Sequence, residues 1–407
     1  MAALWKLGAT ALLIVVLISR RLKLATVMLV ASVFLGLIFG LPPLAVVKSM
    51  WVGLSSWETI NLLLILSAVM LLETFMSETG SMQRMVDRAR EAFRDPRLAV
   101  AALPAFIGML PSAGGAVFSC PMVDQVGESL GLSPERKAYI NYWYRHLFEY
   151  WLPLYQAVVL AASILVIPTG TLIRYLLPFT AFMAGVGALV AFGGMKSPLT
   201  AVEQGETIAE HFLVWTRFLA EAWHIIAIII LVLAFNVNVA LSILLVLVVL
   251  LVLHRYPVRR IPGMVSALVK NDIILTIATI MAFRGVLLAT GAVEAMPELF
   301  ASLGLPPLLA VLGIPFCAGL LMGSSVGYVG VSFPLIQGLL VEGGMVNLPW
   351  AALAYAAGQA GFMISPLHLC FPLSVDYFRA AMGPVWVRIA LSQAAVMALG
   401  LALYLLL

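Results

Sequence analysis

Long apolar runs alternate with short polar breaks along this chain, and each run reads as a helix. The first half predicts spans over Lys6 to Ile18, Leu24 to Phe39 and Thr59 to Phe75. One stretch, Met82 to Phe93, repeats its charges at helical spacing and predicts an amphipathic surface helix. The second half predicts Phe218 to Ala234, Val239 to Leu253, Asp272 to Leu288 and a segment from Val293 to Leu303. A connecting helix, Ile173 to Phe192, and a polar linker, Lys196 to Glu210, join the halves, and Val385 to Leu406 closes the chain.

Composition turns these runs into membrane spans. The 407 residues are 63% hydrophobic and 10% charged, with a mean hydropathy of +1.08, too little polar surface to cover a water-soluble core. A bilayer core of roughly 30 Å needs about 20 apolar residues per helix, which allows roughly ten spans and a few half-spans. Lys6 precedes the first run, but Arg20, Arg21 and Lys23 follow it without a small-residue cleavage site, as for a retained helix. The net charge of +4 sits in short loops, where it orients helices and offers no nucleic-acid surface. Cys120, Cys317 and Cys370 lack metal-ligand spacing and read as packing residues.

The polar breaks repeat at one fixed offset. Pro121 and Pro334 stand 213 residues apart, and so do Pro153 and Pro366, Ser112 and Ser325, Gly114 and Gly327, and Ser119 and Ser332. Loop charge inverts between the copies. The Arg20–Lys23 loop matches the uncharged stretch Phe235 to Asn238, while the nearly neutral Leu41 to Lys48 matches His254, Arg255, Arg259 and Arg260. Opposite orientation of two duplicated halves gives this pattern. The expected organisation is a first repeat over 1–172, a connecting helix and linker over 173–216, a second repeat over 217–380 and a C-terminal helix over 381–407.

Each repeat holds two segments that interrupt the apolar helices. The first is a re-entrant hairpin, over 99–130 and 305–340, turning at Pro111-Ser112-Ala113-Gly114-Gly115 and near Gly323-Ser324-Ser325-Val326-Gly327. Hairpin tips offer amides, helix termini and the hydroxyls of Ser112, Ser119, Ser324, Ser325 and Ser332 to an ion or anion. Gly319, Gly323 and Gly327 equally suit a close-packing helix face. The second segment is a helix broken by proline, over 139–162 at Pro153 and over 354–371 at Pro366. Asn141, Arg145 and Glu149 share one face of the first, beside His146, and their counterparts include Gly358 and Gln359. Charge inside a span is costly and marks function, here an Arg145 that attracts an anion. The bland alternatives are an Arg145–Glu149 structural pair, a His146 that merely packs, and an Asp124 that pairs locally. Glu73 and Arg284 are set to pair between the halves.

Pro111-Ser-Ala-Gly-Gly-Ala-Val-Phe-Ser-Cys-Pro-Met-Val-Asp124 and Asn141-Tyr-Trp-Tyr-Arg-His-Leu-Phe-Glu-Tyr-Trp-Leu-Pro-Leu-Tyr155 resemble an uncharacterised integral membrane family, domain of unknown function 401, of the ion transporter superfamily. The resemblance implies an all-α polytopic membrane protein with two inverted-topology repeats, re-entrant hairpins and broken helices in an elevator-type fold. It further implies a homodimer in the inner (plasma) membrane. Carboxylate carriers coupled to sodium or protons are among the relatives. By that match, Ser112 to Gly115 and Gly323 to Gly327 become the binding clamps. The Ser-Asn-Thr signature of sodium-dicarboxylate relatives is missing from these tips.

The expected function is a secondary transporter of a small organic anion, not an enzyme, with no cofactor or metal and with Na+ or H+ as coupling ion. The substrate site is expected at Ser112, Ala113, Gly114, Gly115, Ser119, Asn141, Arg145, His146, Gly323, Ser324, Ser325, Gly327, Ser332 and Gln359, and ion coupling at Asp124, Glu149 and Ser365. The competing readings are a passive channel and an intramembrane hydrolase with Ser325 as nucleophile and His146 or His368 as base.

Overall fold

The computed structural model describes residues 2–20, 22–93, 95–109, 115–194, 208–269, 272–293 and 306–405. The expected tip at Ser112, Ala113 and Gly114, most of Lys196 to Glu210, and most of Val293 to Leu303 lie outside them. The helices in chain order are α1 (Ala2–Ser19), α2 (Leu24–Ile38), α3 (Pro43–Ser55), α4 (Trp57–Glu78), α5 (Ser81–Ala92), α6 (Pro96–Gly108), α7 (Gly115–Ser129), α8 (Pro134–Arg145), α9 (Gln156–Leu165) and α10 (Thr169–Phe192). They continue with α11 (Ile208–Leu233), α12 (Val239–Leu253), α13 (Ile261–Val269), α14 (Asp272–Ala289), α15 (Pro307–Met322), α16 (Ser325–Ile336), α17 (Leu348–Ile364), α18 (Cys370–Tyr377) and α19 (Met382–Leu405). A two-residue-strand hairpin, Val341–Glu342 with Met345–Val346, lies between α16 and α17.

This is a helical membrane protein. Among the described residues α4, α10, Leu213–Leu233 of α11, α14 and α19 are long and apolar enough to cross a membrane. The sequence also counted α2 and α12 as spans; at 15 residues each they reach roughly 22 Å, short of a bilayer core. Large apolar side chains face outward on α12 (Val248, Val249, Val252) and on α3 (Leu44, Val47, Val52), the surface that lipid covers. Two short helices, α3 and α13, were not anticipated. Their signals are the prolines in their first turns, Pro43 and Pro262, which preset the helical φ where no donor is needed. The amphipathic stretch forms as expected: α5 buries Met85, Ala89 and Ala92 and packs on α11.

Two pairs of helices run side by side in the same direction. Lys23 bridges to Asp272 (2.8 Å) at the starts of α2 and α14, and Gly36 packs on Val286 near their ends. Likewise, Asn238 donates to Asn61 (2.8 Å) at the starts of α12 and α4, and Tyr256 donates to Glu78 (2.5 Å) at their ends. Glu73 and Arg284 do not pair; Arg284 donates to the Ile164 carbonyl instead (2.9 Å).

The breaks fall at the prolines. Helix α8 starts at an N-cap, Ser133, with Pro134 behind it, and stops at Arg145. A 3-10 turn, Leu147–Tyr150, and an irregular stretch around Pro153 lead to α9. Arg145 and Glu149 therefore do not share a helical face, contrary to the spacing argument. Helix α17 stops at Ser365, which is extended (ψ 127°), the conformation a following proline imposes, and α18 resumes at Cys370. The α15–α16 turn is tighter than expected. Gly323 alone is left-handed (φ +56°), Ser324 caps the next helix through Gly327 N–H, and Ser325 to Gly330 are already helical.

Helices α15 and α17 touch backbone to backbone. A Cβ on Gly319 would run into the Gly358 carbonyl, and one on Gly361 into the Phe316 carbonyl. Gly313 faces open space on the same helix. Gly319→Val is expected to cost about 1–3 kcal/mol, as overpacked cores do, and to lower the unfolding midpoint by several degrees. Gly313→Val should leave it in place. Tryptophan-fluorescence melts of the detergent-purified protein compare the two.

Candidate functional site

The break in α8–α9 and the break in α17–α18 meet, and their freed backbone groups are satisfied across the junction. Tyr142 on α8 donates to the Met363 carbonyl at the end of α17 (2.8 Å), and Tyr355 on α17 donates to the Glu149 carbonyl in the 3-10 turn (2.9 Å). Tyr155 donates to the Gly108 carbonyl at the end of α6, and Trp386 donates to the Ile364 carbonyl (2.9 Å). Helix ends leave carbonyls without partners, and in an apolar surrounding each needs a donor. Buried tyrosines supply a donor at the tip of a large apolar ring.

Side-chain contacts lock the same junction. Gln359 donates to Glu149 Oε2 (2.7 Å), while its own Oε1 accepts from Tyr328 (3.4 Å). His146 Nε2 lies 3.0 Å from His368 Nε2 and 3.8 Å from Glu149 Oε1. His146 Nδ1 faces the Tyr142 carbonyl (2.6 Å), and His368 Nδ1 faces the Gly323 carbonyl (3.4 Å). Phe362 packs edge-on against His368, with ring centroids 4.1 Å apart.

Beside this junction is a cavity of about 350 Å³. Arg145, His146, Glu149, Tyr155 and Gln156 line it from the first break, Phe362, His368, Leu369 and Cys370 from the second, and Gly323, Ser324 and Ser325 from the α15–α16 turn. The first-turn amides of α16 begin at this wall, where a helix favours negative charge. Arg145 adds a full positive charge.

Of the expected site residues, the structure brings Arg145, His146, Glu149, Gly323, Ser324 and Ser325 to one cavity, with Gln359 behind Glu149. The others have different work. Ser332 is buried and bonds back to the Tyr328 carbonyl of its own helix (2.6 Å). Asn141 donates to Ser374 (2.9 Å) and to the Cys120 sulfur (3.3 Å). Ser119 is buried in α7 and is not among the described cavity residues, and Gly115 opens that helix. Asp124 pairs with Lys137 (2.7 Å), as the local alternative had it, and not at the cavity. Ser365 donates to the Leu320 carbonyl (2.7 Å) and accepts from Leu367 N–H, holding the second break to α15.

The matching family model carries the description "Protein of unknown function (DUF401)" and covers residues 4–407. The chain belongs to that family. No curated protein matches it.

Sequence reasoning missed Tyr155, Gln156, Phe362 and Cys370 as cavity residues, and named His368 only as a hydrolase base. The offset of 213 carried the missing signal: it takes Tyr155 onto His368, two residues past each break proline, and both line the cavity.

Loss of the Gln359 donor strands Glu149 in a buried position. Gln359→Leu is expected to destabilise by about 1–3 kcal/mol, the cost of an unsatisfied buried acceptor. A Glu149→Leu, Gln359→Leu double variant should recover part of that loss, because neither partner is then left alone. Chemical or thermal unfolding of the three variants measures the coupling.

Proposed function

We propose that this DUF401 member is a secondary active transporter of a small organic anion of the carboxylate class, coupled to sodium ions or protons and working by alternating access. The observation that carries the reading is the cavity itself. Arg145 and the N-terminal amides of α16 reach it together, at the point where two helices are broken. A carboxylate there gains charge-assisted hydrogen bonds from both. Broken helices and hairpin turns around a buried polar site are the usual construction of secondary carriers.

The proposed architecture is a pair of inverted repeats, 1–172 and 217–380, joined through 173–216 and closed by 381–407, in the inner membrane as a multi-pass chain. Two kinds of exchange support it. Span α2 runs parallel to α14 as α4 does to α12, and each break is satisfied by a tyrosine from the other. The loops at the ends of α4 and α12 bring Tyr256 and Arg260 onto Glu78, in agreement with basic loops gathered on one side. In the elevator scheme of the ion transporter superfamily, the α6–α7 and α15–α16 hairpins with the broken helices form the moving unit of a homodimer.

The hydrolase reading draws less support, since the Nε2 atoms of His146 and His368 face one another across 3.0 Å and neither histidine is hydrogen-bonded to Ser325. A channel would need no coupling ion, and ion dependence of uptake separates it from a carrier.

A thermal-shift panel of small carboxylates and sugar acids, with and without sodium and at two pH values, tests the reading, because a ligand that binds the folded state raises its midpoint. The expected outcome is a carboxylate whose shift needs sodium or low pH. Arg145→Ala should elute as a folded protein and lose at least tenfold in affinity for that ligand, about 1.4 kcal/mol. Wild-type affinity in this variant would sink the anion-binding role of Arg145.

A further inference from the structure

The two histidines at the junction of the breaks are arranged for a cation. Each Nδ1 faces a backbone carbonyl, Tyr142 for His146 and Gly323 for His368. A carbonyl only accepts, so each Nδ1 must carry the ring proton to use its partner. Both Nε2 atoms are then bare lone pairs, and a neutral imidazole has no second proton to offer. Yet these two atoms point at each other across 3.0 Å. Two lone pairs at that distance repel, and an electropositive centre between or beside them turns the repulsion into binding.

Cys370 decides the kind of cation. Its sulfur and one ring nitrogen of each histidine all lie within 4.8 Å of one another. We propose that His146, His368 and Cys370 form a binding site for a divalent transition-metal ion of the zinc and cobalt class. Two imidazoles and a thiolate suit such an ion and do not suit sodium, magnesium or calcium, which take oxygen ligands. Metal–nitrogen bonds of about 2.0–2.1 Å in a tetrahedron separate two nitrogens by ~3.3 Å, close to the spacing present. Both Nδ1 contacts to carbonyls are the outer contacts that orient metal-bound histidines and fix their tautomer.

The surroundings also fit. Glu149 Oε1 lies 3.8 Å from His146 Nε2 and places a carboxyl oxygen at the edge of the site, while Gln359 holds its other oxygen. All three ligands line the cavity that Arg145 also lines, so a fourth ligand would come from that space. Three protein ligands with one open position describe a metal that takes an exogenous ligand, in contrast to a closed structural site. The site joins the first break (His146) to the second (His368, Cys370), so metal binding would also tie these elements together. It goes beyond the transport reading and does not depend on it.

The test uses the full-length, tag-free protein in detergent, stripped with a chelator and titrated with Co2+ in the absence of any organic anion. The expected result is saturation at one ion per chain, with visible cobalt bands, a near-ultraviolet thiolate-to-cobalt band, and bleaching of both by Zn2+. Cys370→Ser should abolish the thiolate band, and His146→Asn and His368→Asn should each weaken binding at least tenfold. Cys317→Ser, whose residue is exposed elsewhere, should change nothing. Monodisperse elution and an unchanged unfolding midpoint of the apo variants exclude misfolding as the cause. A wild-type protein that gives no thiolate band overturns the site, as does a band that survives Cys370→Ser. Because no transported anion is present, failure here leaves the transport reading untouched, and failure of the carboxylate panel leaves this one.

Discussion

Backbone that leaves a helix inside an apolar protein must find new hydrogen-bond partners, and the centre of this structure is built around that requirement. Two helices stop in the buried interior, one at Arg145 and one at Ile364, and each exposes carbonyls that nothing local can satisfy. The solution is reciprocal. Tyr142 serves the second break and Tyr355 serves the first, so neither break is complete without the other. Tyr139, Tyr142, Trp143, Tyr150 and Tyr355 are fully buried and fill this volume, and Tyr142 and Tyr355 place their hydroxyls where the helices end.

The same requirement gathers the charge. Once the two breaks are drawn together, the polar side chains beside them are forced into one small volume, and Arg145, His146, Glu149, Gln359 and His368 come to share it. Glu149 is held at one oxygen by Gln359, and its other oxygen lies 3.8 Å from His146 Nε2. The α15–α16 turn closes the group from a third direction, since the carbonyl of Gly323 faces His368 and the cap of α16 faces the cavity. A ligand bound in this volume would touch two breaks and a hairpin turn together, as the proposed transport reading requires.

Close backbone contact fixes how the hairpin rides on the broken helix. Gly319 and Gly361 allow α15 and α17 to approach until the backbone of one meets the other, and Ser365 adds a hydrogen bond to the Leu320 carbonyl. The four-residue glycine spacing at the end of α15 does two things, of which only the close packing was one of the alternatives read from the sequence. Gly319 is a packing contact, and Gly323 is the left-handed residue that ends the helix.

Local chemistry was legible in the chain. Apolar runs located the helices, Pro153 and Pro366 located the breaks to within a few residues, Gly323 marked a turn, and one charged cluster marked the first break, because each of these effects acts over neighbouring residues. The offset of 213 related the halves without showing how they touch. What the tertiary structure alone decided is which residues meet across more than two hundred positions: His146 with His368, Glu149 with Gln359, and Cys370 with His146. Helix spacing misassigned the Arg145–Glu149 face because the helix ends between them. Pairing of that kind depends on how satisfied backbone and packed volume balance over the whole interior, and no local pattern carries that information.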